Sequence, residues 1–313
     1  MPTLRDIESA RERIKGSAIR TPLVRLNVDD APAEIYLKLE NLQPIGSFKI
    51  RGAANAIAQM SPDELSKGVL TASAGNMAQG VAFAARRLNI PCTVIAPETA
   101  PQTKIDAIER LGGRVVKAPF DEWWRAFQER SFPGVRGTFV HAFDDPQVMA
   151  GNGTIALEII EDLPDVDTVI VPWGGGLACG IAVGMRALKP ECKIYAAEVA
   201  TAAPLKPSLD AGTPQVIDMQ PSFVDGIGAK TVFPQMLKLA EELLDGSLMA
   251  TLDEVASALR LIATRNRVIA EGAGATATAC AINARPGSAK KVVAIVSGGN
   301  IDFEKLCSIL AGS

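Results

Sequence analysis

A lysine, Lys49, stands in the run Ser-Phe-Lys-Ile-Arg-Gly at residues 47–52, with Gly46 ahead of it and Gly52 behind. These neighbours predict a turn that opens a helix over residues 50–60, with the amine at or near the helix N-terminus. Unpaired N–H groups there already carry a partial positive charge, which disfavours a second one. An amine held in that position and partly desolvated is pushed toward its neutral form, the nucleophile that condenses with a carbonyl to a Schiff base. On these residues alone, an ordinary surface lysine on a first helical turn is the better account.

Three more stretches offer binding groups. Residues 71–80, Thr-Ala-Ser-Ala-Gly-Asn-Met-Ala-Gln-Gly, join an expected strand to an expected helix. Their backbone amides, with the Ser73 and Asn76 side chains, could cradle a carboxylate at the helix N-terminus. A plain loop capped by Ser73 or Asn76 accounts for the residues equally well. Residues 172–180, Pro-Trp-Gly-Gly-Gly-Leu-Ala-Cys-Gly, follow an apolar strand and open a helix. Bare glycine N–H groups at a positive helix end make an anion nest, and phosphate is the natural occupant. An empty glycine turn and a dinucleotide site compete with that reading. The spacing of Gly174, Gly176 and Gly180 misses the G-x-G-x-x-G fingerprint, which demotes the dinucleotide. Val-Ser-Gly-Gly-Asn at 296–300 ends the last expected strand and presents the Ser297 hydroxyl.

The elements that must position these groups follow from periodicity. After an amphipathic helix at 4–14 and extended segments at 21–26 and 34–40, short apolar strands are expected at 69–72, 92–96, 114–117, 138–140, 168–171, 193–197 and 291–296. Helices are expected between or beside them at 77–88, 103–111, 122–128, 146–161, 177–188, 234–244, 252–268 and 302–311. Ser61 with Pro62 reads as a helix start, and residues 144–146 as a turn and N-cap. Strands alternating with helices mean an α/β chain with a mostly parallel sheet covered on both faces. Ligands of such folds lie beyond the carboxyl ends of strands, which is where Ser73, Gly174 and Ser297 fall.

Composition narrows the chemistry. The 313 residues carry a net charge of −3, 48% apolar and 21% charged residues, with both signs interspersed, so no basic face for nucleic acid is visible. Histidine occurs once, at His141, which removes multi-histidine metal sites and leaves proton transfer to lysine, carboxylates, hydroxyls or a cofactor. Five cysteines without paired spacing argue against a disulfide framework or zinc site and for a reducing compartment. The N-terminal residues lack a signal-peptide core, and no apolar run is long enough to span a bilayer. A cytoplasmic protein with no membrane partner is expected.

Taken together and in order, these motifs resemble those of the serine/threonine dehydratases and serine racemases, pyridoxal-phosphate enzymes of fold type II in the tryptophan synthase β superfamily. The resemblance runs from the lysine motif to Asn300. It implies two open, parallel-rich sheets flanked by helices, with residues 1–68 and 145–313 forming a large cofactor-binding domain and 69–144 a small inserted one that grips substrate. It implies that Lys49 carries pyridoxal 5′-phosphate, with Phe48 beside the ring, Asn76 at the 3′-oxygen, and Gly174, Gly175, Gly176 and Leu177 at the phosphate. Ser297 matches the residue that meets the ring nitrogen. Ser73, Ala74, Gly75, Asn76 and Met77 match the loop that holds the substrate carboxylate. Residues 224–228 and 271–274 match segments flanking the ring; Glu271 reads equally as a cofactor neighbour or as a salt-bridged helix-end carboxylate. His141 reads as an interdomain packing residue.

The departures matter as much. Ala74 replaces the hydroxyl that racemases use on the opposite face of Cα, and Met77 replaces a histidine with a soft apolar side chain. The glycine loop is one residue short, with Trp173 beside it. Glu198 matches a metal ligand in relatives, but Pro204 falls where an aspartate belongs, so no metal site is expected. A neutral hydroxyl at Ser297 makes the ring a weaker electron sink, which favours prompt loss of a β-substituent.

The expected activity is therefore β-elimination from a small-molecule β-hydroxy amino acid such as serine, threonine or 3-phenylserine, giving a 2-oxo acid and ammonia. Racemisation, β-replacement, or a non-catalytic cofactor-binding role are the alternatives. Trp123 and Trp124 read first as core and surface packing, and second as an apolar wall over a bulky β-substituent. The resemblance implies a homodimer. The last motif lies near the final residue, so no appended regulatory domain is expected.

Overall fold

A computed structural model describes residues 1–284 and 289–312. In chain order the elements begin α1 (Leu4–Arg13), β1 (Leu23–Arg25), β2 (Glu34–Leu39), α2 (Lys49–Ile57), α3 (Pro62–Ser66) and β3 (Val69–Ala72). Then come α4 (Asn76–Arg87), β4 (Cys92–Pro97), α5 (Gln102–Arg110), β5 (Arg114–Ala118), α6 (Phe120–Glu129) and β6 (Thr138–Phe139). The second half runs α7 (Pro146–Asp162), β7 (Thr168–Pro172), α8 (Gly176–Leu188), β8 (Lys193–Val199), α9 (Leu205–Ala211) and α10 (Pro234–Leu243). It closes with β9 (Gly246–Ala250), α11 (Leu252–Leu261), α12 (Gly272–Asn283), β10 (Lys291–Val296) and α13 (Phe303–Ala311).

Packing divides the chain into two units, one of residues 1–19 and 43–154, the other of 20–42 and the described residues from 155 onward. The grouping of α2 and the first turns of α7 with the first unit is wider than the 69–144 lobe set out above. The first unit holds a parallel four-stranded sheet in the order β5-β4-β3-β6. The second holds six strands in the order β1-β2-β10-β7-β8-β9, parallel except for β1 against β2. β3 and β7 are buried at every position, as strands covered on both faces must be. The chain is α/β, with two parallel-rich sheets flanked by helices.

Register fixes where loops emerge. In the second unit Ala294 of β10 lies opposite Ile170 of β7, and Pro172 of β7 opposite Ala197 of β8. Residues 173–175, 200–204 and 297–300 therefore leave one edge of the sheet, at the carboxyl ends of neighbouring strands. In the first unit Ala72 of β3 pairs with Ile95 of β4, so residues 73–75 leave the equivalent edge.

Close backbone contact places α2. A Cβ at Gly151 would meet the Arg51 carbonyl oxygen at 2.4 Å, and one at Gly52 would meet Val148 at 2.7 Å, so only glycine lets α2 and the start of α7 approach this closely. Arg51, 1% exposed, locks that contact by donating from Nη1 to Thr154 Oγ1 at 3.0 Å and from Nη2 to the Ile19 carbonyl at 3.2 Å. α2 packs most heavily on α4.

Some elements differ from expectation for clear reasons. The helix expected over 252–268 stops at Leu261, and a wide π-turn, Ile262–Asn266, ends at Arg267 with φ 60°. α12 escaped notice because its first ten residues are all buried, so its Gly/Ala-rich run has no polar face to set a 3.6-residue period. β9 escaped because it is short and opens on Gly246-Ser247, poor strand formers.

Candidate functional site

Lys49 is the first residue of α2, directly behind Phe48, and no side chain caps that helix. Its Nζ donates to the Ala142 carbonyl at 2.8 Å and lies 5.1 Å from the Phe48 ring centroid. The amine is thus held between a carbonyl dipole and an aromatic face. A Cβ at Gly80 of α4 would come within 3.2 Å of the Lys49 backbone, so the glycine eases the close approach of α4 at this point. The residue before Ala142 is His141, buried in a ring cluster with Phe127 at 4.4 Å and Phe143 at 4.8 Å between centroids. Its Nδ1 accepts from the backbone N–H groups of Asp144 (2.8 Å) and Phe143 (3.3 Å). Burial, then the charge of Arg130, hold its pKa down at about 4; Asp144 opposes them, and the weaker charge of Lys49 adds to the lowering. This neutral histidine is a packing group, and these partners all lie in the first unit.

The carboxyl end of β3 feeds the second feature. Ser73 N–H donates to the Ile95 carbonyl at 3.0 Å, and Ser73 Oγ accepts from Gly75 N–H at 3.1 Å. α4 then starts at Asn76 with Gly75 at its N-cap and no side-chain cap, so the plain capped loop is not what forms. Ser73, Ala74, Gly75 and Asn76 are half-buried, and a Cβ at Gly75 would meet nothing within 4 Å. Backbone amides, a hydroxyl and a carboxamide therefore edge a helix N-terminus without a side-chain cap, a fit for a carboxylate. Met77 is different: at 2% exposure it joins the core of Ile45, Ile50 and Val81, because one helical step turns it away from the face of Asn76.

The second unit carries the rest. After β7, Trp173 N–H donates to Ala197, and Gly176 N–H closes a three-residue γ-turn onto the Gly174 carbonyl at 3.1 Å. Gly175 at its centre has φ 77° and ψ −82°, a conformation strained for any side chain. α8 starts at Gly176 with no side-chain cap and continues through the buried Leu177, and a Cβ at Gly174 would meet nothing within 4 Å. Ser297, 2% exposed, follows β10, the neighbour of β7. Glu271, 6% exposed, is the N-cap residue of α12, and its N–H donates to the Gly298 carbonyl at 3.0 Å, which brings it beside Ser297. A Cβ at Gly272 would lie 2.8 Å from the Phe223 carbonyl, and one at Gly226 would lie 3.3 Å from Glu271 Oε1, so the segments at 224–228 and 271–274 meet.

Glu198 serves the fold. Its Oε1 accepts from Leu205 N–H at 2.8 Å; its Oε2 accepts from Lys206 N–H at 2.9 Å and Ser247 Oγ at 2.7 Å. Burial raises its pKa, and these three hydrogen bonds pull the other way. Both oxygens are spoken for by the start of α9 and by β9. Among the described residues no group of three or more His, Cys, Asp or Glu is arranged to hold a metal ion. Nor is any helix among them long and apolar enough to cross a membrane.

The donor set suits one kind of group. A glycine turn at the positive end of α8, open at Gly174, fits a phosphate, and a hydroxyl at the end of the adjacent strand fits a neutral ring nitrogen. Residues 14–298 match the model of a family described as pyridoxal-phosphate dependent enzyme. The chain belongs to this family. Its cofactor is pyridoxal 5′-phosphate. An L-threonine ammonia-lyase of Thermotoga maritima is 41% identical over 318 residues, covering 99% of this chain and 78% of that protein. The processed form of threonine deaminase isoform 2 from Solanum lycopersicum superposes with a TM-score of 0.89 at 37% identity, covering 99% of this chain and 92% of the other. Serine racemase from Dictyostelium discoideum follows at 0.86 and 34%, covering 96% and 99%.

Sequence reasoning missed Ala142. Its carbonyl holds the Lys49 amine, and a backbone acceptor 93 positions away leaves no side-chain signature.

Proposed function

We propose that this protein is an ammonia-lyase acting on L-threonine, L-serine or a bulkier 3-hydroxy amino acid, which it converts to a 2-oxo acid and ammonia. The observation that carries the proposal is the Lys49 amine, set at the bare start of α2 against the Ala142 carbonyl and the Phe48 ring. Similarity over nearly the whole chain to proteins named threonine ammonia-lyase and threonine deaminase supports it.

When bound, pyridoxal phosphate supplies the electron sink for the pair left at Cα. Lys49 carries the cofactor and moves the Cα proton. Phe48 would lie against the ring, and Asn76 would reach its 3′-oxygen. Ser73, Gly75 and Asn76 orient the substrate carboxylate, within the substrate-gripping lobe of residues 69–144. Gly174, Gly175, Gly176 and Leu177 would hold the phosphate, with Glu271 flanking the ring. Ser297 would meet the ring nitrogen with a neutral hydroxyl, which would keep the sink weak and favour loss of the β-hydroxyl over reprotonation or transamination. Ala74 has no proton to give the opposite face of Cα, which sets elimination above racemisation. The working form is a cytoplasmic homodimer.

Replacing Lys49 with Ala should abolish both the absorbance of the cofactor-bound lysine near the visible edge and the release of ammonia and 2-oxo acid from serine and threonine. Turnover that survives Lys49→Ala would show that another group moves the Cα proton.

A further inference from the structure

Packing accounts for the ring of His141 but not for its nitrogen. The ring sits among aromatics, with Phe127 at 4.4 Å, Phe143 at 4.8 Å and Phe139 at 6.1 Å between centroids, and Trp124 stacks on Phe127 in turn. A phenylalanine would fill that place as well. The imidazole adds an acceptor, Nδ1, which takes the N–H groups of Phe143 and Asp144, two and three residues on. This is the bonding of an Asx-turn, in which a short side chain captures the backbone ahead of it, made here by a histidine. A neutral imidazole that accepts at Nδ1 carries its proton on Nε2.

The chain on either side of this turn is tied down separately. Val140 N–H donates to the Leu70 carbonyl at 2.8 Å, and the Val140 carbonyl accepts from Thr71 Oγ1 at 2.9 Å. Arg130 Nη2 donates to the Asp144 carbonyl at 2.8 Å and to its Oδ2 at 2.7 Å. Ala142 lies between these anchors, and its carbonyl accepts from Lys49 Nζ at 2.8 Å. That carbonyl and the Phe143 N–H belong to one planar peptide group and point to opposite sides of it. Whatever holds the N–H therefore aims the carbonyl.

We infer that His141 is a positioning residue for Lys49: by accepting from one end of the Ala142–Phe143 peptide, its Nδ1 aims the other end at the amine. The inference rests on the ammonia-lyase reading, in which Lys49 takes the Cα proton. As the Cα–H bond breaks, its electron pair stays on the substrate and a new N–H bond makes the amine an ammonium. The Ala142 carbonyl, with the Phe48 face at 5.1 Å, stabilises the charge that arrives there. This charge develops only as the proton moves, so a misaimed carbonyl costs kcat and spares KM.

Histidine occurs once in the chain, so the imidazole signals of a nitrogen NMR spectrum belong to His141. At neutral pH the holoenzyme should show the proton on Nε2 and a bare Nδ1; a proton on Nδ1 overturns the inference. Two substitutions then separate acceptor from ring. His141→Phe keeps the ring and loses the acceptor. His141→Asn loses the ring but keeps an oxygen where Nδ1 stood, the same number of bonds from the backbone. In His141→Phe, kcat for threonine should fall roughly ten-fold, the worth of one or two net hydrogen bonds. KM should stay put and the deuterium isotope effect at Cα should grow. His141→Asn should restore most of kcat although denaturant unfolding finds it the less stable of the two. A role in packing alone predicts the reverse order, and that order, or equal losses in both, overturns the inference.

A readout without turnover is trace acetylation of the cofactor-free full chain, with the other lysines as internal reference. A bond to a carbonyl favours the charged, unreactive amine, so Lys49 labelling should rise several-fold in His141→Phe and stay native in His141→Asn. Labelling unchanged in His141→Phe overturns the inference. No ammonia from any β-hydroxy amino acid would overturn the lyase reading instead, and a rise in labelling confined to His141→Phe would still support the positioning of Lys49.

Discussion

Two strand-to-helix turns, at residues 73–76 and 173–176, are built on one plan and differ in one respect. Each leaves the carboxyl end of a buried parallel strand, and each enters its helix through a glycine N-cap with no side-chain cap. In the first, a hydroxyl and a carboxamide flank the open amides and the backbone keeps ordinary negative φ. In the second there are only glycines, and Gly175 is wound to φ 77°. A substrate must be caught, aligned and released, which asks for directional side chains. A resident phosphate asks only for charge and room, which backbone amides supply. Elsewhere α1, α3 and α11 close their starts with the capping boxes of Thr3, Ser61 and Thr251, while α5, α6, α9 and α10 start uncapped behind a proline or phenylalanine, so the glycine at the N-cap is what sets these two turns apart.

Changes at each turn should break this contrast in different ways. The largest effect is expected from Gly175→Ala, because a side chain at that φ and ψ costs about 1–3 kcal/mol. Cofactor retention through dialysis, read by absorbance, should weaken by roughly ten- to a hundred-fold. Unchanged retention would mean that the glycine turn is not the phosphate seat.

Next comes the histidine behind the lysine. His141 is held neutral with its pKa near 4, below its ordinary value of 6.5, so the unfolded chain binds the extra proton first. Stability should fall as pH drops from about 6.5 to about 4, by up to about 1.4 kcal/mol per unit, and His141→Phe should flatten that slope. Denaturant unfolding across the range measures it. A slope that His141→Phe leaves intact would assign the acid sensitivity to other groups.

Ser73→Ala should raise KM for the amino acid by roughly ten-fold, the worth of one hydrogen bond to a charged group, while cofactor retention stays put. Loss of cofactor instead would make the two turns one site. The smallest change is Thr251→Ala, which opens a capped helix end that binds nothing. It should cost about 1 kcal/mol in denaturant unfolding and leave turnover intact.

Much of this was legible from local chemistry. Ser61 with Glu64, and Asp145 before Pro146, start helices where their residue types say they should, because a cap is a contact within one turn. The strands that carry Ser73, Gly174 and Ser297 at their ends were readable as apolar runs. Of the two even readings of residues 71–80, the loop capped by Ser73 or Asn76 did not form, because Ser73 spends its hydroxyl on Gly75 two residues on. α12 stayed hidden because burial on every side erases the period that marks a helix.

By itself, then, the sequence determined which strand-to-helix junctions carry glycines, where an amine stands at a helix start, and that strands and helices alternate, since each of these depends on residues within a turn or two of one another. Tertiary structure alone decided that Lys49 meets the Ala142 carbonyl, that Met77 turns into the core, and that Glu198 closes α9 and ties down Ser247. Those contacts are set by how distant segments pack, and a backbone carbonyl or a buried face looks the same in sequence whatever comes to rest against it.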